Sequence, residues 1–94
     1  MKNINIGIIG FGTVGTGVAK ILLSHKRDLK EKTGVNLNLA KIADLDIEKE
    51  RPIKIDKSVL TTNIAEIIEN PNIDIVVELI GGVNPAKNII LTAL

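Results

Sequence analysis

The sequence predicts an α/β fold with an open, doubly wound parallel sheet, and three features of the chain predict it. An apolar run, Ile4 to Ile9, ends abruptly in Gly10-x-Gly12-x-x-Gly15, and a long helical pattern begins among those glycines. Two further β-rich runs, Leu37 to Ala43 and Ile73 to Ile80, alternate with helical patterns. A second glycine cluster, Gly81-Gly82, follows the last of them. Strands that alternate with helices imply βαβ units and a parallel sheet.

In the first strand Ile4, Ile6 and Ile8 share one face and Ile9 lies on the other, so its carboxyl end is apolar on both sides. That suits a central parallel strand covered by helices on both faces. The first helix is expected from about Thr13 to Lys32, with Val14, Val18, Ile21, Leu22 and Leu29 at three- and four-residue steps. Gly17 within it weakens a helix by about 1 kcal/mol relative to Ala and calls for a packing or ligand reason. Gly34 is placed to end the helix. His25 has no neighbouring partner residues and reads as an ordinary helix residue.

The second strand, Leu37 to Ala43, ends at Asp44. The polar, charged stretch from Asp44 to Ser58 reads as a loop, with Arg51-Pro52 in its middle and a short extended piece at Ile53 to Ile55. A short third strand is expected at Val59 to Thr61. A helix then starts near Asn63, where Asn63 and Glu66 have the spacing of a capping box, and it stops at Asn70-Pro71. The fourth strand runs from Ile73 to Ile80, interrupted by Asp74 and Glu78. Asn84-Pro85 is a favourable helix start, and Ala86, Ile89, Ile90, Ala93 and Leu94 give a last helix its stripe. The whole is a Rossmann-type sheet, incomplete, with about four strands and three helices.

The chain has 94 residues, 45% of them apolar and 24% charged, as in an ordinary globular domain. Two βαβ halves make a complete dinucleotide fold, and 94 residues hold one half and the start of another. Residues 1–94 are therefore expected to be the amino-terminal part of a longer protein whose substrate domain is absent from this chain. A net charge of +1 gives no reason to expect a nucleic-acid partner, and Phe11 is the single aromatic residue. There is no cysteine, and no apolar run approaches the 18 or so residues of a membrane span. With no signal-peptide pattern, the expected setting is cytoplasmic. No His, Cys and carboxylate spacing suggests a metal site.

The glycines carry the chemistry. Gly10 allows the sharp turn out of the strand, Gly12 lets a pyrophosphate lie against the backbone, and Gly15 lets helix and strand pack closely. The helix amides that follow lack intrahelical partners and attract an anion. In a doubly wound sheet the first strand lies between the second and the fourth, and ligands bind beyond the carboxyl ends where the winding reverses. Gly10 to Gly15 and Gly81-Gly82 flank that crevice. Asp44, at the end of the second strand, is the candidate for the adenosine ribose, where a carboxylate accepts from the hydroxyls and repels a 2′-phosphate. It lies beyond the usual offset of about 20 residues past the glycines, by an excess that fits a first helix longer by roughly two and a half turns. Lys49 and Arg51 lie close enough in sequence to offer a phosphate site, so NAD is favoured over NADP only slightly. Glu78 reads either as a poised acid near the crevice or as a strand-end acid satisfied by water or backbone.

The segments Ile8-Ile9-Gly10-Phe11-Gly12-Thr13-Val14-Gly15-Thr16-Gly17-Val18, Leu60-Thr61-Thr62, and Asp74 to Gly82 followed by Asn84-Pro85-Ala86 closely resemble the amino-terminal domain of homoserine dehydrogenase. The resemblance extends over essentially all of the chain. It implies that Phe11, Gly12, Thr13 and Val14 contact the cofactor pyrophosphate and that the turn after the fourth strand approaches ribose and nicotinamide. It implies an oxidoreductase that interconverts L-homoserine and L-aspartate 4-semialdehyde in amino-acid biosynthesis leading to threonine and methionine. The full-length enzyme is expected to be a homo-oligomer whose missing domain binds the amino-acid substrate and supplies the catalytic residues, so no catalytic residue is expected here. Two alternatives stay open: a non-catalytic nucleotide-sensing module, and the cofactor domain of a related amino-acid dehydrogenase.

Overall fold

The computed structural model describes residues 2–79 and 89–91. Five strands are found among them: β1 Lys2–Ile9, β2 Val35–Ala43, β3 Leu60–Thr61, β4 Ile75–Glu78 and β5 Ile89–Leu91. The helices are α1 Thr13–Ser24, α2 Lys26–Thr33 and the short α3 Ala65–Ile68, with one 3-10 turn at Lys57–Val59. The sheet order is β3-β2-β1-β4-β5. The first four strands run parallel, so β1 lies between β2 and β4 as the doubly wound pattern requires.

The two faces of β1 explain why its carboxyl end is apolar throughout. On one face Ile6 and Ile8 pack with Ala19 and Leu22 of α1, Ile42 of β2 and the ring of Phe11. On the other, Ile9 packs with Ala43, Ile67 of α3, Ile73 and Val76. Burying one such Ile or Leu side chain stabilises the fold by about 1.5–3 kcal/mol, so the two layers together hold the sheet between its helices. Gly7 sits under α3, and a Cβ built on it would lie 2.7 Å from Cγ2 of Ile67. The amino-terminal half of β1 is polar, and there asparagines pin the register. Asn36 donates to Asn3 at 2.8 Å, Asn38 to Asn5 at 3.3 Å, and the Asn5 amide to the Asp74 carboxylate at 2.8 Å. A slip by one residue would break all three and exchange the residues that face the two core layers.

Three expectations are corrected. The single helix expected from Thr13 to Lys32 is two, broken at His25, whose φ of −111° and ψ of 22° leave the helical region. Beyond the break only Leu29 of α2 reaches the core, and the rest of that helix is charged and exposed. Gly34 ends α2 in the left-handed conformation, as expected, with φ of 76°. The capping box also differs: Asn63 accepts from the Ala65 amide at 3.0 Å, but Glu66 accepts from the Thr61 hydroxyl at 2.6 Å instead of reaching back to Asn63.

The third correction concerns the last helix. Ile89–Leu91 is not helical; it forms β5, antiparallel to β4, with Ile90 opposite Val76. Ile-Ile-Leu suits a pleated strand as well as a helix stripe. The edge of β4 offers these residues unpaired backbone groups, which a helix would have left open. Asn84, Pro85, Ala86, Ala93 and Leu94 lie outside the described residues.

Candidate functional site

Three strand ends meet where the winding reverses. Ile9 of β1 stands opposite Ala43 of β2 and Glu78 of β4. The Gly10 amide donates to the Ala43 carbonyl at 2.7 Å, and the Leu79 amide to the Ile9 carbonyl at 2.8 Å. Gly10 has φ of 106°, a conformation that bends the chain out of β1 at little cost only for glycine. A Cβ on Gly15 would collide with the Gly10 carbonyl oxygen, so the helix can approach the strand this closely only as glycine. Gly12 is the opposite case: a Cβ there would meet nothing within 4 Å. Its backbone faces open space where a ligand can lie against it.

Gly12 is also the N-cap of α1, extended at φ of −84° and ψ of −155°, and no side chain caps the helix. The first intrahelical bond runs from the Thr16 amide to the Gly12 carbonyl at 2.8 Å. The amides of Thr13, Val14 and Gly15 precede it, and they carry the positive end of the helix dipole. A cavity of about 290 Å3 opens beside this helix start, lined by Phe11, Gly12, Thr13, Thr16 and Lys49 to Pro52. Backbone amides, a bare glycine and adjacent space fit the pyrophosphate of a dinucleotide. Gly10 and Gly15 shape the turn from behind. Val14 is 53% exposed on the outer face of α1.

Asp44 is brought to the glycine turn, but its carboxylate points into it. Oδ1 accepts from the Phe11 amide at 3.0 Å, and Oδ2 accepts from the Asp46 amide at 3.0 Å. Arg51 lies against the same group, with Nη2 3.4 Å from Oδ2. The guanidinium also donates to the carbonyls of Phe11 at 2.7 Å, Lys49 at 2.9 Å and Asp46 at 2.6 Å. Arg51 is thus a clamp between the loop after β2 and the turn after β1, a role that sequence reasoning missed. Its partner Phe11 is 40 positions away, and no spacing rule reports such a contact. Glu78 is half-buried at the end of β4 beside Ile9. Gly81 and Gly82 lie outside the described residues. Among the described residues no three His, Cys, Asp or Glu side chains are grouped to hold a metal ion, and no helix is long and apolar enough to cross a membrane.

A parallel sheet with an open glycine at its switch point and an uncapped helix start beside it defines a Rossmann-type dinucleotide-binding domain. The chain belongs to the family of homoserine dehydrogenase NAD-binding domains: the family model described as "Homoserine dehydrogenase, NAD binding domain" matches residues 10–94. It is 40% identical over 94 residues to the homoserine dehydrogenase of Bacillus subtilis (strain 168), covering 100% of this chain and 22% of that protein. Among solved structures it resembles homoserine dehydrogenase of S. aureus at pH 6.0, with a TM-score of 0.76 and 35% identity, covering 92% of this chain and 22% of the other. The homoserine dehydrogenase of Thiobacillus denitrificans gives a TM-score of 0.71 at 34% identity, with 93% and 20% covered. The chain therefore spans about a fifth of the length of these relatives. The cofactor of the family is a nicotinamide dinucleotide.

Proposed function

We propose that these residues are the amino-terminal part of the cofactor domain of a homoserine dehydrogenase, which interconverts L-homoserine and L-aspartate 4-semialdehyde by hydride transfer. The likeness of the whole chain to the B. subtilis enzyme at 40% identity supports this reading. The observation that carries the cofactor role is the bare backbone at Gly12, next to free helix amides and an open cavity. Gly12 and the amides of Thr13 and Val14 would hold the pyrophosphate, with Gly10 and Gly15 setting the turn. The bound nicotinamide would supply the hydride acceptor and donor. The substrate domain, the catalytic acid and base and the homoserine site belong, on this reading, to the portion of the relatives that these residues do not span. We extend the expectations of a homo-oligomer and a cytoplasmic setting to the full-length enzyme. The turn after β4, with Gly81 and Gly82, is assigned to the ribose and nicotinamide by resemblance to the family. Both NAD and NADP fit a site held by backbone groups.

The test is Gly12→Val. A Cβ at Gly12 meets nothing within 4 Å and the backbone there is extended, so a valine is expected to cost little stability. Titration calorimetry of the full-length protein with NADH should show binding abolished while the urea midpoint stays within experimental error. Binding equal to that of the unaltered chain would put the pyrophosphate elsewhere.

A further inference from the structure

We infer that the choice between NAD and NADP is made by the charges of Lys49 and Glu50, not by Asp44; the inference rests on the dinucleotide reading above. A strand-end carboxylate discriminates against a 2′-phosphate when its charge and lone pairs face the ribose. In Asp44 most of them are taken up by the protein, and the side chain is 24% exposed. A carboxylate has about four acceptor positions, and three of those of Asp44 already serve the Phe11 amide, the Asp46 amide and Arg51. The guanidinium beside it offsets its charge in a setting where the arginine side chain is only 9% exposed.

Arg51, the residue whose charge most suits a phosphate, is committed in the same way. Four of its five N–H donors go to three backbone carbonyls and to Asp44, and its Cζ lies over the Phe11 ring, 4.1 Å from the centroid. The carboxylate that sequence position assigns to the ribose and the arginine it offers to a phosphate thus pair with each other inside the loop.

Lys49 and Glu50 remain. Both are exposed, and both line the cavity that contains Gly12, Thr13 and Thr16. Both also line a larger cleft of about 800 Å3 that continues along Ile47, Ile53, Ile55 and Leu60, where Glu48 and Lys54 form another pair of opposite charges that does not reach the smaller cavity. They therefore stand at the junction of the two spaces, one step from the pyrophosphate turn and with opposite charges. A 2′-phosphate adds about two negative charges to the adenosine half of the ligand. Lys49 attracts it and Glu50 repels it, and the near cancellation leaves this chain open to both cofactors. Each substitution below leaves the backbone groups of residues 49 and 50, including the Lys49 carbonyl that Arg51 uses, in place.

The experiment is calorimetric titration of the full-length protein that carries these residues, and of three variants of it, with NAD and NADP at two salt concentrations. A single exposed charge contact changes an affinity by about 1.5- to fivefold. Lys49→Gln should weaken NADP by that factor and flatten its salt dependence, with NAD within about twofold. Glu50→Gln should tighten NADP by a similar factor. Asp44→Asn should move both cofactors together, because it acts through the turn. If Asp44→Asn favours NADP selectively while Lys49→Gln and Glu50→Gln move both cofactors equally, Asp44 makes the choice and the inference is overturned. If the unaltered full-length protein binds neither dinucleotide, the cofactor reading fails and takes the inference with it.

Discussion

The guanidinium carbon Cζ of Arg51 lies over the ring of Phe11, 4.1 Å from its centroid, while its Nε donates to the carbonyl oxygen of the same residue at 2.7 Å. One side chain thus holds both the ring and the backbone of the residue between the first two glycines of the turn. Phe11 is 2% exposed and is the only aromatic residue of the chain. Its backbone is gripped from both sides, since Asp44 takes the amide and Arg51 the carbonyl.

Arg51→Met should therefore act on the turn as well as on the loop. It removes several charge-assisted hydrogen bonds and leaves the partly buried Asp44 carboxylate without its cation. Hydrogen bonds to charged groups are worth about 1.5–3 kcal/mol each when broken, and not all of them are lost to water at once. A fall in unfolding free energy of about 2–4 kcal/mol is expected in urea denaturation. Arg51→Lys, which keeps the charge but loses the planar fork, should fall between.

Gly15 and Gly17 stand two residues apart in α1 and should respond in opposite directions. Gly15→Ala drives a Cβ into the Gly10 carbonyl and should cost about 1–3 kcal/mol as helix and strand are pushed apart. Gly17→Ala meets nothing within 4 Å and should stabilise the helix by up to about 1 kcal/mol. Thermal melts of the two variants separate these outcomes. The packing reason that Gly17 calls for is not present among the described residues.

Asp56 gives a pH signature at the 3-10 turn. Its carboxylate accepts from the Ser58 amide at 2.9 Å, and that bond, followed by one to the Ser58 side chain, holds its pKa below the ordinary 3.8. The ionised form is favoured in the folded state, so its contribution is present above the unfolded pKa and is lost as pH falls through the lower folded value. An NMR titration should place the Asp56 midpoint below 3.8, and Asp56→Asn should remove the acid-range change in Ser58 amide exchange.

What could be read in the sequence was what local geometry dictates. Gly10 and Gly15 are required by a bend and by a close approach, and both requirements follow from the strand-turn-helix order alone. The sheet order followed from the alternation of apolar runs with helices. Asp44 was placed at the right strand end, yet its offset carried no information about which way the carboxylate turns. That direction is set by the Phe11 amide and by Arg51, whose spatial neighbours are distant in sequence. Ile89–Leu91 misled for a different reason: three apolar residues satisfy a helix stripe and a strand equally, and the open edge of β4 decided between them. The break at His25 had no glycine or proline to announce it.

The central place of β1 also bears on the order in which a ribosome delivers the parts. β1 is made first, but its partners come later: β2 follows α2 and pairs along the whole of β1, whereas β4 pairs only with Ile6 to Ile9. At roughly 5–20 residues per second, β4 emerges about two to six seconds after β2 is complete. Through that interval the apolar carboxyl half of β1 is zipped on one side and bare on the other, the condition in which strands stick to strangers. Arg51 emerges before β4, so the glycine turn after β1 has its clamp while the nascent sheet is still half built.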